Sequence, residues 1–149
     1  MAQTYFGSTL RAGSGTLTDT TDGGFVVMSQ TTTVTTAAAG TATSATITLP
    51  ASSQIIDFFA DMVVNEAVGG GTATTIPMTI GTAAAGTQYV SSTDVFAGGR
   101  IALTFTAAQL LAMSDIGTST SVVVTLDPNG TISTTQGVIR LTVVYAQKV

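Results

Sequence analysis

The sequence predicts an all-β chain folded as an antiparallel two-sheet β-sandwich, and three observations carry that expectation. Threonine makes up about a fifth of the 149 residues and valine is also frequent; both are β-branched, which favours strands and disfavours long helices. Short apolar runs alternate with Gly, Pro, Asn and Asp turn signals at the spacing expected of a sandwich or barrel. Helical patterns do not fall between the strands in the order a parallel βαβ sheet requires. A chain of this length makes one ordinary domain with a sizeable core.

Residues 1–24 read as an extended N-terminal arm, and 25–149 as the single sandwich domain. In the arm, Gly7, Gly13, Gly15, Gly23 and Gly24 lie among Ser and Thr without periodicity, a loop-like composition. Tyr5, Phe6, Leu10 and Leu17 could anchor it on a partner; a frayed terminus is the competing reading. Phe25–Thr35 is the first predicted strand. Thr43–Leu49 sets Thr43, Ala45, Ile47 and Leu49 against Ser44, Thr46 and Thr48, a period of two with one buried face, and Pro50 stops it. Gln54–Val64 has the length of a helix, but its aromatics and flanking turns favour a long strand.

Gly69-Gly70-Gly71 is a loop. Thr75–Ile80 and Thr87–Ser91 are short strands across a Gly81–Gly86 turn, and Arg100–Phe105 follows Gly98-Gly99 with Ile101, Leu103 and Phe105 on one face. Thr106-Ala107-Ala108-Gln109 has the form of a capping box. Leu110, Leu111 and Met113 follow at helical spacing, which predicts one short helix near 106–114 that ends by Gly117. Ser121–Leu126 is a strand, Asp127-Pro128-Asn129-Gly130 a turn, and Gly137–Tyr145 the last strand. Eight short antiparallel strands around one core fit the jelly-roll form of sandwich.

Composition excludes several chemistries. Cys, His and Trp are absent, which removes disulfides, thiolate or imidazole metal sites, serine–histidine triads and the usual neutral-pH base. The basic residues are Arg11, Arg100, Arg140 and Lys148, and the net charge is −4, so a phosphate-tracking surface is not expected and nucleic acid is not a predicted partner. No apolar stretch is long enough to span a bilayer, and membrane is not a predicted partner either. Residues Met1–Phe6 lack a basic region followed by an apolar run, so no Sec leader is expected, and synthesis in the cytoplasm follows.

No catalytic, cofactor-binding or metal-ligating residue is predicted, no cofactor is expected, and the chain reads as a non-enzyme. Asp57 and Asp61, with Glu66 beyond, lack a visible nucleophile or basic neighbour and read as solvated residues on the outer face of a strand. Asp19-Thr20-Thr21-Asp22-Gly23 lacks the remaining ligands of a calcium loop and reads as a turn. Gly69-Gly70-Gly71 and Gly98-Gly99-Arg100 lack the Lys and helix of a phosphate loop. Arg100 and Arg140, beside apolar strands, either face solvent or fork onto a carboxylate. With Tyr5, Phe6, Leu10 and Arg11 they are the candidate partner contacts.

Charged residues are 8% of the chain, against about 25% in an average soluble domain. Charge keeps monomers apart, so a Thr, Ser, Ala and Gly surface suits packing against copies or partners. A Thr-rich monomeric extracellular domain is the alternative.

The run Ile47-Thr48-Leu49-Pro50-Ala51-Ser52-Ser53-Gln54-Ile55-Ile56-Asp57 resembles a segment of small virion proteins of tailed bacteriophages. So do Ile80-Gly81-Thr82, Tyr89-Val90, Asp94-Val95, Gly98-Gly99-Arg100 and Phe105–Leu110, and the closing Val143-Val144-Tyr145. The resemblance spans roughly residues 45 to 149 and leaves the arm unmatched. It implies a capsid decoration, or cement, protein that binds the virion's capsid exterior in many copies. The partners it implies are the major capsid protein and further copies of the chain, as homodimer or homotrimer. The family supplies no catalytic residues to carry over. A tail-tube or adaptor subunit is the runner-up. A receptor- or carbohydrate-binding sandwich is a third reading, weakened by three tyrosines and no tryptophan.

Overall fold

Strand formation follows the apolar alternation closely. The computed structural model describes residues 25–64, 71–132 and 136–148. Its elements are β1 (Phe25–Thr35), β2 (Thr43–Leu49), β3 (Ser53–Val64), β4 (Pro77–Gly81), β5 (Val90–Asp94), β6 (Gly99–Ile101), α1 (Ala107–Ser114), β7 (Thr120–Leu126) and β8 (Val138–Lys148). They form two four-stranded antiparallel sheets, β1-β8-β3-β6 and β2-β7-β4-β5. First pairs with eighth, second with seventh, third with sixth and fourth with fifth. The chain is therefore one long hairpin, closed at β4–β5, that rolls up so β8 also meets β3 and β7 also meets β4. That nesting is the jelly-roll arrangement.

The inner faces meet in a core that includes Leu49, Met78, Ile80, Leu126, Ile139 and Leu141, none with exposed surface. In β2, Ile47 and Leu49 are buried while Ser44, Thr46 and Thr48 are exposed, as the period of two requires. The long β3 departs from strict alternation through its doublets Ile55-Ile56 and Met62-Val63. The register against β8 slips at both places. Each slip is a β-bulge that absorbs one extra residue, so Ile55 and Met62 stay buried while Ile56 and Val63 are exposed. Without the bulges, half the strand would present its apolar set to solvent.

The boundaries of four strands need correction: the fourth starts at Pro77 rather than Thr75 and the last continues to Lys148 rather than Tyr145. The fifth strand runs over Val90–Asp94 rather than Thr87–Ser91, because 82–89 is spent on a wider connection in which Gln88 Oε1 accepts from Thr82 N (3.1 Å). The sixth ends at Ile101, not Phe105. Leu103 and Phe105 still turn inward and pack against the core, and Phe105 approaches Phe58 at 6.5 Å between ring centroids. Alternation reports which side chains are buried; it does not require a paired backbone.

The capping box forms. Thr106 Oγ1 accepts from Gln109 N (3.3 Å) and Gln109 Oε1 accepts from Thr106 N (2.8 Å). The helix it starts is turned differently from the apolar pattern. Gln109 and Met113 are the buried pair, one turn apart, while Leu110 and Leu111 are exposed. Gln109 holds the inward position because its Nε2 donates to Thr87 O (3.2 Å) and Ser91 Oγ (3.0 Å), fastening the helix to the β4–β5 connection and the start of β5. At the opposite end, Asn129 Oδ1 accepts from Thr74 N (2.9 Å) and Thr75 N (3.1 Å). There Gly40, at φ +69°, comes so close to Gly130 that a Cβ would lie 2.1 Å from its carbonyl oxygen.

Candidate functional site: a charged row on an outer sheet face

Register alone places Thr33, Arg140, Asp61 and Arg100 in one line across β1, β8, β3 and β6. Their strand neighbours Val34, Ile139, Leu141, Ala60 and Met62 are buried, so the period of two points this line outward. Asp61 Oδ1 accepts from Arg100 Nε (2.8 Å) and Oδ2 from Arg100 Nη2 (3.3 Å), a forked pair. Arg140 Nη2 reaches the same Oδ2 at 3.3 Å from the other side. The Arg100 guanidinium also lies 5.1 Å from the centre of the Phe59 ring, within cation–π range.

The carboxylate between the arginines is 15% exposed, whereas the side chains of Arg100 and Arg140 are 65% and 48% exposed. The hydrogen bond from Arg100 lowers the Asp61 pKa, with the bond from Arg140 and both positive charges adding to it against the opposing cost of burial. Asp61 in turn raises the Arg100 pKa. An ionised carboxylate held this way accepts hydrogen bonds and does not deliver a proton near neutrality. Two guanidiniums share one carboxylate, which leaves the row with one surplus positive charge and N–H donors that have no partner among the described residues.

The expectation that no basic residue adjoins Asp57 and Asp61 is thus corrected for Asp61, since two arginines distant in sequence converge on it. Both arginines face solvent; Arg100 forks onto the carboxylate, while Arg140 reaches it through one nitrogen. Asp57 lies on the same outer face, opposite Val144, and its Oδ1 accepts from Phe58 N (2.8 Å). Asp94 accepts from the backbone amides of Ile76, just before β4, and Phe96, just after β5, and Asp115 accepts from Gly117 N in its own loop. No cluster of three or more potential metal ligands occurs among the described residues, and no helix among them is long and apolar enough to cross a membrane. Tyr5, Phe6, Leu10 and Arg11, with the rest of the arm, Glu66, and Gly69-Gly70, lie outside the described residues.

Reading the sequence alone missed Phe59 as the ring beneath Arg100, and Asp61 as the hub. The parity of β3 was the available signal, since Asp57, Phe59 and Asp61 share a face.

The other outer face is different. On β7, Val123 and Thr125 point away from the core yet are 8% and 4% exposed. The β4–β5 connection lies over them, and Ala85 N donates to Thr125 Oγ1 (2.9 Å). Exposed large apolar residues on the strands, Val26, Val27, Ile56, Val63 and Val64, all belong to the β1-β8-β3-β6 sheet.

No family model matches the chain, and neither a curated protein nor a solved structure matches it.

Proposed function

We propose that the chain is a non-enzymatic structural protein of a tailed-phage virion, a decoration subunit that binds the outer capsid surface in many copies and braces the head. The observation that carries this reading is the outer face of the β1-β8-β3-β6 sheet, which no segment among the described residues covers. It presents Thr, Ser and Val side chains with a single organised charged row, a surface that loses little on desolvation and so suits repeated lateral or shell contacts. The family resemblance gives the role its name, and the partners would be the major capsid protein and other copies of the chain. A sugar-binding platform is less favoured, because Tyr89 and Tyr145 are 3% exposed and belong to the core. Fold by itself does not select among these roles.

The test is co-sedimentation of labelled protein with purified phage heads, followed by electron microscopy of the particles. Regular label over the head surface is the expected result. Label at the tail supports a tube or adaptor subunit instead, and absence of label from every particle overturns the virion role.

A further inference from the structure

The outer face of the β1-β8-β3-β6 sheet is patterned in rows that complement each other in reverse. One row holds Ser29, Val144 and Asp57, the next Thr31, Thr142 and Phe59, and the next Thr33, Arg140, Asp61 and Arg100. The first carries one negative charge, the second none, and the third one surplus positive charge. The exposed apolar residues lie beyond the charged rows at opposite ends, Val27 and Ile56 past Asp57, Val63 and Val64 past Asp61.

We propose that this face is the interface of an isologous homodimer whose two-fold axis runs along the Thr31–Thr142–Phe59 row. Rotation about that line lays a second copy face down on the first and exchanges the flanking rows. Asp57 of each copy then stands over Asp61 of the other, whose carboxylate is recessed between the more exposed guanidiniums of Arg100 and Arg140, so Asp57 meets that row's surplus positive charge. The same rotation sets Ile56 of one copy over the Val63–Val64 end of β3 in the other, while Val27 on β1 comes over Thr35. An isologous contact demands such self-complementarity. Two of the four strands are eleven residues long, so the face measures roughly 600–700 Å² at ordinary strand spacing and rise. That is close to the about 800 Å² per partner of a standard interface. The facing sheets would stack about 10 Å apart, as in a sandwich. The proposal deepens the self-association part of the function above and requires nothing of the capsid role.

The test uses the full chain and sedimentation equilibrium. The wild type should be a dimer at micromolar concentration. Asp57→Arg places like charges against each other and should weaken the dimer by at least roughly a hundredfold. Asp57→Arg combined with Arg140→Asp exchanges the signs of the two rows and should bring affinity back to within about tenfold of wild type. Arg140→Glu gives an independent weakening variant, and thermal melts verify that each variant is folded. The chain has no cysteine, so Thr142→Cys should cross-link to itself with a short bis-maleimide. Thr46→Cys, on the outer face of β2, should not. A monomeric wild type, a dimer indifferent to Asp57→Arg, or a double variant as weak as the single one would overturn the proposal. Loss of head binding by an intact dimer would sink only the capsid role, and a monomer that still coats heads would sink only the dimer.

Discussion

The two outer faces of the sandwich are built from similar residues and finished in opposite ways. On the β2-β7-β4-β5 sheet, the chain covers part of its own surface. Gly81 lies so close to Gly86 and Gln88 that a Cβ would sit 2.2 Å from Gln88 Oε1 and 2.5 Å from Gly86 C, and the connection folds back to reach Thr125. On the β1-β8-β3-β6 sheet, nothing among the described residues makes a comparable cover. That face instead concentrates Asp57, Asp61, Arg100 and Arg140 with exposed Val27, Ile56, Val63 and Val64. A covered face contributes to folding through packing and satisfied backbone groups. A bare face that holds paired charge and apolar surface contributes little to folding and is free to meet a partner.

That contrast implies a gradient of stability effects, measured by denaturant titration of dilute protein. The largest is expected across the two sides of β3. Phe58, at 2% exposure and 5.7 Å from the Tyr89 ring, should cost about 3–5 kcal/mol when replaced by Ala. Phe59→Ala on the bare face should cost well under half of that; equal losses would show that the bare face also carries the fold. Next is Gly81→Ala, which forces the covering connection away from Gly86 and should cost up to about 3 kcal/mol. Thr125→Val should cost about 1–2 kcal/mol because Ala85 N loses its acceptor. Thr142→Val on the bare face should stay within about half a kcal/mol, and a larger loss there would break the comparison.

Several of these features are legible in the amino-acid sequence by itself, and they are the local ones. Alternation in Thr43–Leu49 gives a strand and its buried face, Thr106 and Gln109 give the helix start, and Asp127–Gly130 gives the turn. Even the bulges of β3 leave a trace, as apolar doublets in a strand that otherwise alternates. What stays hidden depends on pairing between distant segments. Asp61 meets Arg100 across 39 residues and Arg140 across 79, and no local pattern encodes that β6 and β8 flank β3. The exposed Leu110 and Leu111 mislead for a related reason. Helical spacing identifies a stripe, but the tie from Gln109 to Thr87 and Ser91, set by tertiary packing, decides which stripe turns inward.

The smallest expected effect tests whether charge or packing holds the bare face in order. Asp61 has its pKa lowered by Arg100 and then Arg140. A carboxyl with a lower pKa folded than unfolded stabilises the fold above the unfolded value, near pH 4. That contribution disappears as pH falls through the lowered folded value. Asp61→Asn keeps the shape, removes the negative charge and leaves two guanidiniums facing each other. The variant should therefore melt slightly below wild type at neutral pH and low salt. The gap should close in acid, where wild-type Asp61 is also neutral, and should narrow in high salt, because the arginines are exposed and screened. Arg100 keeps its position over Phe59 in either state, since the ring's attraction for the guanidinium does not titrate. A gap that persists unchanged in acid and in salt would mean that Arg100 stacked on Phe59 organises the row, with the carboxylate only filling the space between two arginines.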